Sequence, residues 1–144
     1  MDGLTVTAGY AEDEVNTLAN TSDSREATVA LTGSFGNLSF GYQKDFFDTG
    51  QTTTAAADAD FYKIEQIGLA YAINDALSIS YNTMEQSQHN IDADSSFEQD
   101  TTAINIGYTV GGMTIGFQDA STDNANMVKD AKDDVRSISL SVAF

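Results

Sequence analysis

Residues 101–119 read TTAINIGYTVGGMTIGFQD. Ile104, Ile106, Tyr108 and Val110 alternate with Ala103, Asn105, Gly107 and Thr109. After Gly111-Gly112 the alternation resumes, with Met113, Ile115 and Phe117 set against Thr114, Gly116 and Gln118. A period of two belongs to a strand, whose successive side chains point to opposite faces. Glycine tolerates the positive φ of a tight hairpin turn, so this stretch predicts two antiparallel strands joined at 111–112.

The same unit recurs along the chain. LSFGY at 38–42 follows Gly36-Asn37, LSISY at 77–81 follows Asn74-Asp75-Ala76, and MTIGF at 113–117 follows the glycine pair. The three starts lie 39 and 36 residues apart. Leu4 to Ala8 open a looser first copy, with Tyr10 in the aromatic place. Eight strands are predicted, at about 3–10, 27–35, 38–45, 63–73, 77–84, 101–110, 113–119 and 136–144. Long acidic connections, about 11–26, 46–62, 85–100 and 120–135, alternate with the short turns. A propeller has a similar repeat length but not this alternation of connections. The fold expected is all-β and up-and-down, with residues 1–144 forming a single barrel domain or one half of one. Helical period is nearly absent; the nearest candidate, 125–135, is short and polar.

Composition narrows the function. The chain has 144 residues, 22 acidic and 6 basic side chains, a net charge of −16, and no Cys, Pro or Trp. Without Cys there is no disulfide frame, no thiolate metal site and no Cys nucleophile. The acidic excess argues against nucleic acid, which needs clustered Lys and Arg. No run approaches the 18 or so apolar residues of a membrane-crossing helix. The opening MDGLTVTAGY has neither the basic nor the apolar segment of a secretory leader, so it reads as a processed or internal start.

Parity separates two faces. One carries the Leu, Ile, Val, Phe and Tyr of every strand; the other carries Ser, Thr, Gly, Ala, Asn and Gln. In a soluble sandwich the apolar face turns inward. In a membrane barrel it turns outward to lipid and the polar face lines a lumen. Three features favour the membrane barrel. Charge sits almost wholly in the long connections. Strands near nine residues suit a tilted span. Ile138, Leu140, Val142 and Phe144 keep strict alternation at a chain end that would otherwise fray, which calls for a pairing partner. Tyr10, Phe35, Tyr42, Tyr71, Tyr81, Tyr108 and Phe117 then form aromatic girdles at the two interfaces. Gln43, Asp45, Gln66, Asn82, Asn105 and Gln118 face the lumen, Asp45 being the charged member of that set.

Other chemistry is thin. His89, the single histidine, lies in the 85–100 connection and reads as solvated. Asp92 and Asp94 have the Asp-x-Asp spacing from which calcium draws oxygen ligands, so they are the candidates for loosely held calcium bridging to lipopolysaccharide phosphates. The plainer reading of these acids is a solvated, self-repelling loop. Gly33 to Gly36 and Gly111-Gly112 have no Lys and no following helix, so they are not phosphate loops. No catalytic constellation emerges, and no enzyme activity is expected.

The GNLSFGYQ, DALSISYN and GGMTIGFQ units, the acidic connections and the terminal SISLSVAF together resemble Gram-negative outer-membrane general porins. The similarity is to the C-terminal half of the sixteen-stranded trimeric proteobacterial members, and it covers essentially the whole chain. It implies a location in the outer membrane, partners among its lipid and lipopolysaccharide, and a homotrimer once the barrel is whole. It also implies that Ile138, Leu140, Val142 and Phe144 are read by the outer-membrane assembly machinery; the Gly or second aromatic often found upstream of the last residue in that family is missing. The family's length is about twice this one, and its constriction loop has no counterpart here. Three functions follow in order: passive diffusion of small hydrophilic solutes and ions with mild cation preference; an eight-stranded adhesin or anchor; a soluble acidic β-sandwich binding module.

Overall fold

The computed structural model describes residues 3–14, 22–50, 59–90 and 96–143. Eight strands form one antiparallel sheet in chain order: β1 (Leu4–Asp13), β2 (Ser24–Phe35), β3 (Leu38–Asp48), β4 (Ala59–Ala72), β5 (Leu77–Asn90), β6 (Ser96–Val110), β7 (Met113–Asp123) and β8 (Lys132–Val142). The fold is all-β, up-and-down and barrel-like.

The tight turns stand where the sequence places them. Gly36 has φ 57°, and Gly111 and Gly112 have φ 56° and 80°, values that cost a residue with a Cβ. At the 74–76 turn Asn74 Oδ1 accepts from the amides of Ala76 and Leu77, both at 2.9 Å. This Asx arrangement lets a turn form without glycine.

The loop-side ends differ from expectation. Every strand runs three to six residues further than the alternation of hydropathy predicts. Beyond the apolar stretch polar and aromatic residues fall on both faces, so periodicity vanishes while the backbone ladder continues. His89 therefore lies in β5, not in a loop, and its ring stacks on Phe61 at 4.3 Å. The segment 125–135 holds a 3-10 turn, Ala125–Met127, and then the start of β8. Asn124 and Gln99 tie that turn back to β6, through Asn124 Nδ2 to the Glu98 carbonyl and the Asn126 amide to Gln99 Oε1.

The registers sort the two faces cleanly. Apolar residues pair with apolar residues across the ladders, as in the row Leu38, Tyr71, Ile79, Ile106, Phe117, Ile138. Yet this face builds no core. Leu38 is 39% exposed, Ile79 38%, Ile106 38% and Leu140 66%, and the buried apolar side chain among the described residues is Ala125. A soluble domain of this size would bury most of such side chains.

The small polar face is the sheltered one. Along β6 from Thr101 to Gly107, the odd-numbered polar positions are partly covered and the even-numbered positions are exposed. A concavity of about 330 Å³ on the polar side reaches from Ala30 and Thr32 on β2 to Thr101 and Ala103 on β6. The sheet thus curves around its polar side. Five of the six strand glycines (Gly9, Gly41, Gly68, Gly107 and Gly116) lie on that side. A Cβ at Gly68 would come within 3.0 Å of Asn82 Oδ1, and one at Gly107 within 3.2 Å of Ser78 Oγ. Glycine relieves the crowding that curvature imposes on the inner face.

Candidate functional site: the concave face and the band behind it

All six sequence-predicted inner residues share the concave face. Gln43 opposes Gln66, Asn105 opposes Gln118, and Asn82 opposes Gly68. Gln43, Gln66 and Asn82 line the 330 Å³ concavity, and Asn105 and Gln118 line a second of about 320 Å³ with the serines of β5 and β8. Asn105 Nδ2 donates to Ser80 Oγ at 3.3 Å, and Ser137 Oγ donates to Gln118 Oε1 at 3.4 Å. Gln43 Nε2 donates to both Asp45 oxygens, at 2.9 and 3.0 Å, and fixes that carboxylate.

Charge is divided by face. Every Lys and Arg of the strands (Arg25, Lys44, Lys63, Lys132 and Arg136) has the parity of the convex face. The concave face holds Asp13, Glu26, Asp45, Asp60 and Asp133, and no strand cation among the described residues. Asp45 is therefore one of five carboxylates there. Glu26 was hidden by its assignment to a loop, as were Phe47 and Tyr62, which stack on the concave side at 6.3 Å and 18°. Continuing the parity of Thr28, Asp45 and Gln66 by one or two more steps reaches all three.

On the convex face, charge marks a boundary. The first charged residue beyond the apolar stretch is Glu12, Arg25, Lys44, Glu65, Glu85, Asp100, Asp119 and Arg136 on successive strands. Three ion pairs sit on this line: Arg25–Glu12 at 3.4 Å, Lys44–Glu65 at 3.1 Å and Arg136–Asp119 at 2.6 Å. Beyond it Lys132 meets Asp123 at 2.8 Å, and that hydrogen bond holds the Lys132 ammonium above its ordinary pKa. Exposed pairs of this kind add little stability.

The apolar band runs obliquely. Its loop-side edge is Tyr10 on β1, Tyr42 on β3, Tyr81 on β5 and Phe117 on β7, each in a lower hydrogen-bonded row than the one before. From the Tyr10–Ala27 row to the Phe117–Ile138 row the edge drops by about eight residues across seven ladders. At about 3.3 Å per residue and about 4.8 Å per ladder, that slope is roughly 38°. Strands of barrels tilt by about 35–45°. At the turn side Phe35 and Tyr71 share one hydrogen-bonded row through Leu38, and Tyr108 lies two residues lower. At this tilt the ten uncharged residues 101–110 of β6 rise about 26 Å, the height of a barrel's lipid-facing band, and the six of β7, 113–118, about 16 Å. The seven girdle residues thus lie along the two edges of the band, all exposed except half-buried Tyr42.

Ile138, Leu140 and Val142 share the convex face of β8; Phe144 lies outside the described residues. Asp92 and Asp94 also lie outside them, and among the described residues no three His, Asp or Glu side chains gather as a metal site. No family model, curated protein or solved structure matches the chain.

Proposed function

We propose that the chain forms the wall of an outer-membrane channel for passive diffusion of small hydrophilic solutes and ions, with a mild preference for cations. The observation carrying this reading is the exposed apolar band, bounded by charge and aromatic rings and inclined at a barrel's tilt. Lipid is the solvent in which such a face is stable. The concave face then meets water. Its Ser, Thr, Gly and Ala would leave voids in a filled eight-stranded interior, and packed interiors tolerate few voids; a wider, wet lumen needs no filling. This favours a channel over a closed adhesin or anchor, and it fits a larger barrel to which these strands contribute half, as the resemblance to the general porins implies. Trimeric assembly, lipopolysaccharide contact at the charged boundary, and recognition of β8 by the assembly machinery follow from the same resemblance. No catalytic group or cofactor is required. Carboxylates on the wall raise the local cation concentration.

Purified protein added to a planar bilayer is expected to give discrete, stable conductance steps. In a low-salt KCl gradient the reversal potential is expected to favour K⁺ over Cl⁻, with the preference shrinking as salt rises and screens the wall. Absence of steps, or an anion preference at low salt, contradicts the proposal.

A further inference from the structure

A cavity of about 460 Å³ opens over β1, β2 and β3 on the concave face, near its loop-side end. Among the residues lining it, Gly9, Ala11 and Thr28 provide a floor of small side chains, and Glu26, Asp45 and Phe47 stand around them. The register explains the grouping: Gly9 opposes Thr28, Thr28 opposes Asp45, and Glu26 opposes Phe47. Phe47 is backed by Tyr62, and Asp45 is held by Gln43. The nearest strand cations, Arg25 and Lys44, have the opposite parity. The result is a recess with two carboxylates and one aromatic ring, at a size suited to a small organic ligand.

We propose that this recess is a weak binding site for an organic ammonium ion that carries an apolar group. The carboxylates supply the counter-charge, and the Phe47 ring supplies both apolar contact and cation–π attraction. A neutral solute gains only the ring contact, and an anion is repelled. The inference rests on the concave face being the wet one, as the channel reading requires. A solute captured here stands on the wall, so the recess makes one class of cations dwell on its way through.

The test uses the whole chain refolded in detergent micelles, with benzyltrimethylammonium as the probe and benzyl alcohol as its neutral counterpart, both followed by NMR titration at low salt. The ammonium is expected to bind and the alcohol to bind at least about fivefold more weakly, the scale of one unscreened cation–π contact. Phe47→Ala is expected to weaken ammonium binding about fivefold. The double variant Glu26→Gln, Asp45→Asn is expected to weaken it about tenfold or more, since each carboxylate contributes near 1 kcal/mol at contact in water. Glu12→Gln, on the convex face, is expected to leave it unchanged. Equal binding of alcohol and ammonium, or ammonium binding that survives both concave-face variants, overturns the site. Bilayer conductance of the same preparation reports separately on the channel: binding without conductance steps keeps the site and defeats the channel, and steps without binding do the reverse.

Discussion

Leu69→Arg is expected to cost about 2–4 kcal/mol of folding stability in lipid vesicles, while Ala70→Arg costs a small fraction of that. Leu69 lies within the apolar band, between Phe40 on β3 and Tyr81 on β5. It is 46% exposed, and in the proposed setting its exposed surface meets acyl chains. A guanidinium there must either leave water or drag water into hydrocarbon. Ala70, one step along, opposes Ser39 and Ser80 on the concave face, where a long charged side chain can extend into water. Urea unfolding from vesicles measures both. A cost at Ala70 equal to or larger than that at Leu69 contradicts the assignment of the two faces.

Replacing Glu26 and Asp45 together with Lys is expected to remove most of the K⁺ preference, and adding Asp13→Lys to reverse it. The concave face has five strand carboxylates and no strand cation among the described residues, so two charge reversals leave it with one net negative charge and a third makes it positive. At 0.1 M salt the Debye length is about 10 Å, so charges on the wall act across a useful part of a pore. The matching change on the other side, Glu65→Lys, is expected to leave selectivity alone, because Glu65 pairs with Lys44 on the convex face. Reversal potentials in a KCl gradient measure all three. Selectivity that follows the net charge of the chain regardless of face contradicts the assignment.

Much of this arrangement is legible before any coordinates. The turns at 36–37, 74–76 and 111–112 are readable because glycine suits the positive φ at 36, 111 and 112 and Asn74 forms an Asx turn, and the apolar rows because their residues alternate with small polar ones. The loop-side halves are not. From Phe47 to Tyr62 the chain mixes acids, threonines and aromatics, so no hydropathy contrast betrays that its two ends pair. The recess beside Glu26 was missed for that reason: it needs Phe47 and Glu26 to be read as strand residues first. The tilt was hidden too. Each strand shows its own apolar stretch, but the inclination of the band appears only when register relates one strand to the next. The division of charge between faces likewise follows once parity is carried through Lys44 and Asp45, neighbours with opposite sign and opposite sides.

The central claim, that the apolar side faces lipid and the polar side faces water, is open to a direct measurement. The chain has no Cys, so each residue from 104 to 110 can be replaced singly by Cys and spin-labelled in lipid vesicles. Labels at 104, 106, 108 and 110 are expected to be relaxed by oxygen, which concentrates in hydrocarbon, and labels at 105, 107 and 109 by a water-soluble nickel chelate. The opposite phase, or no alternation at all, contradicts the account.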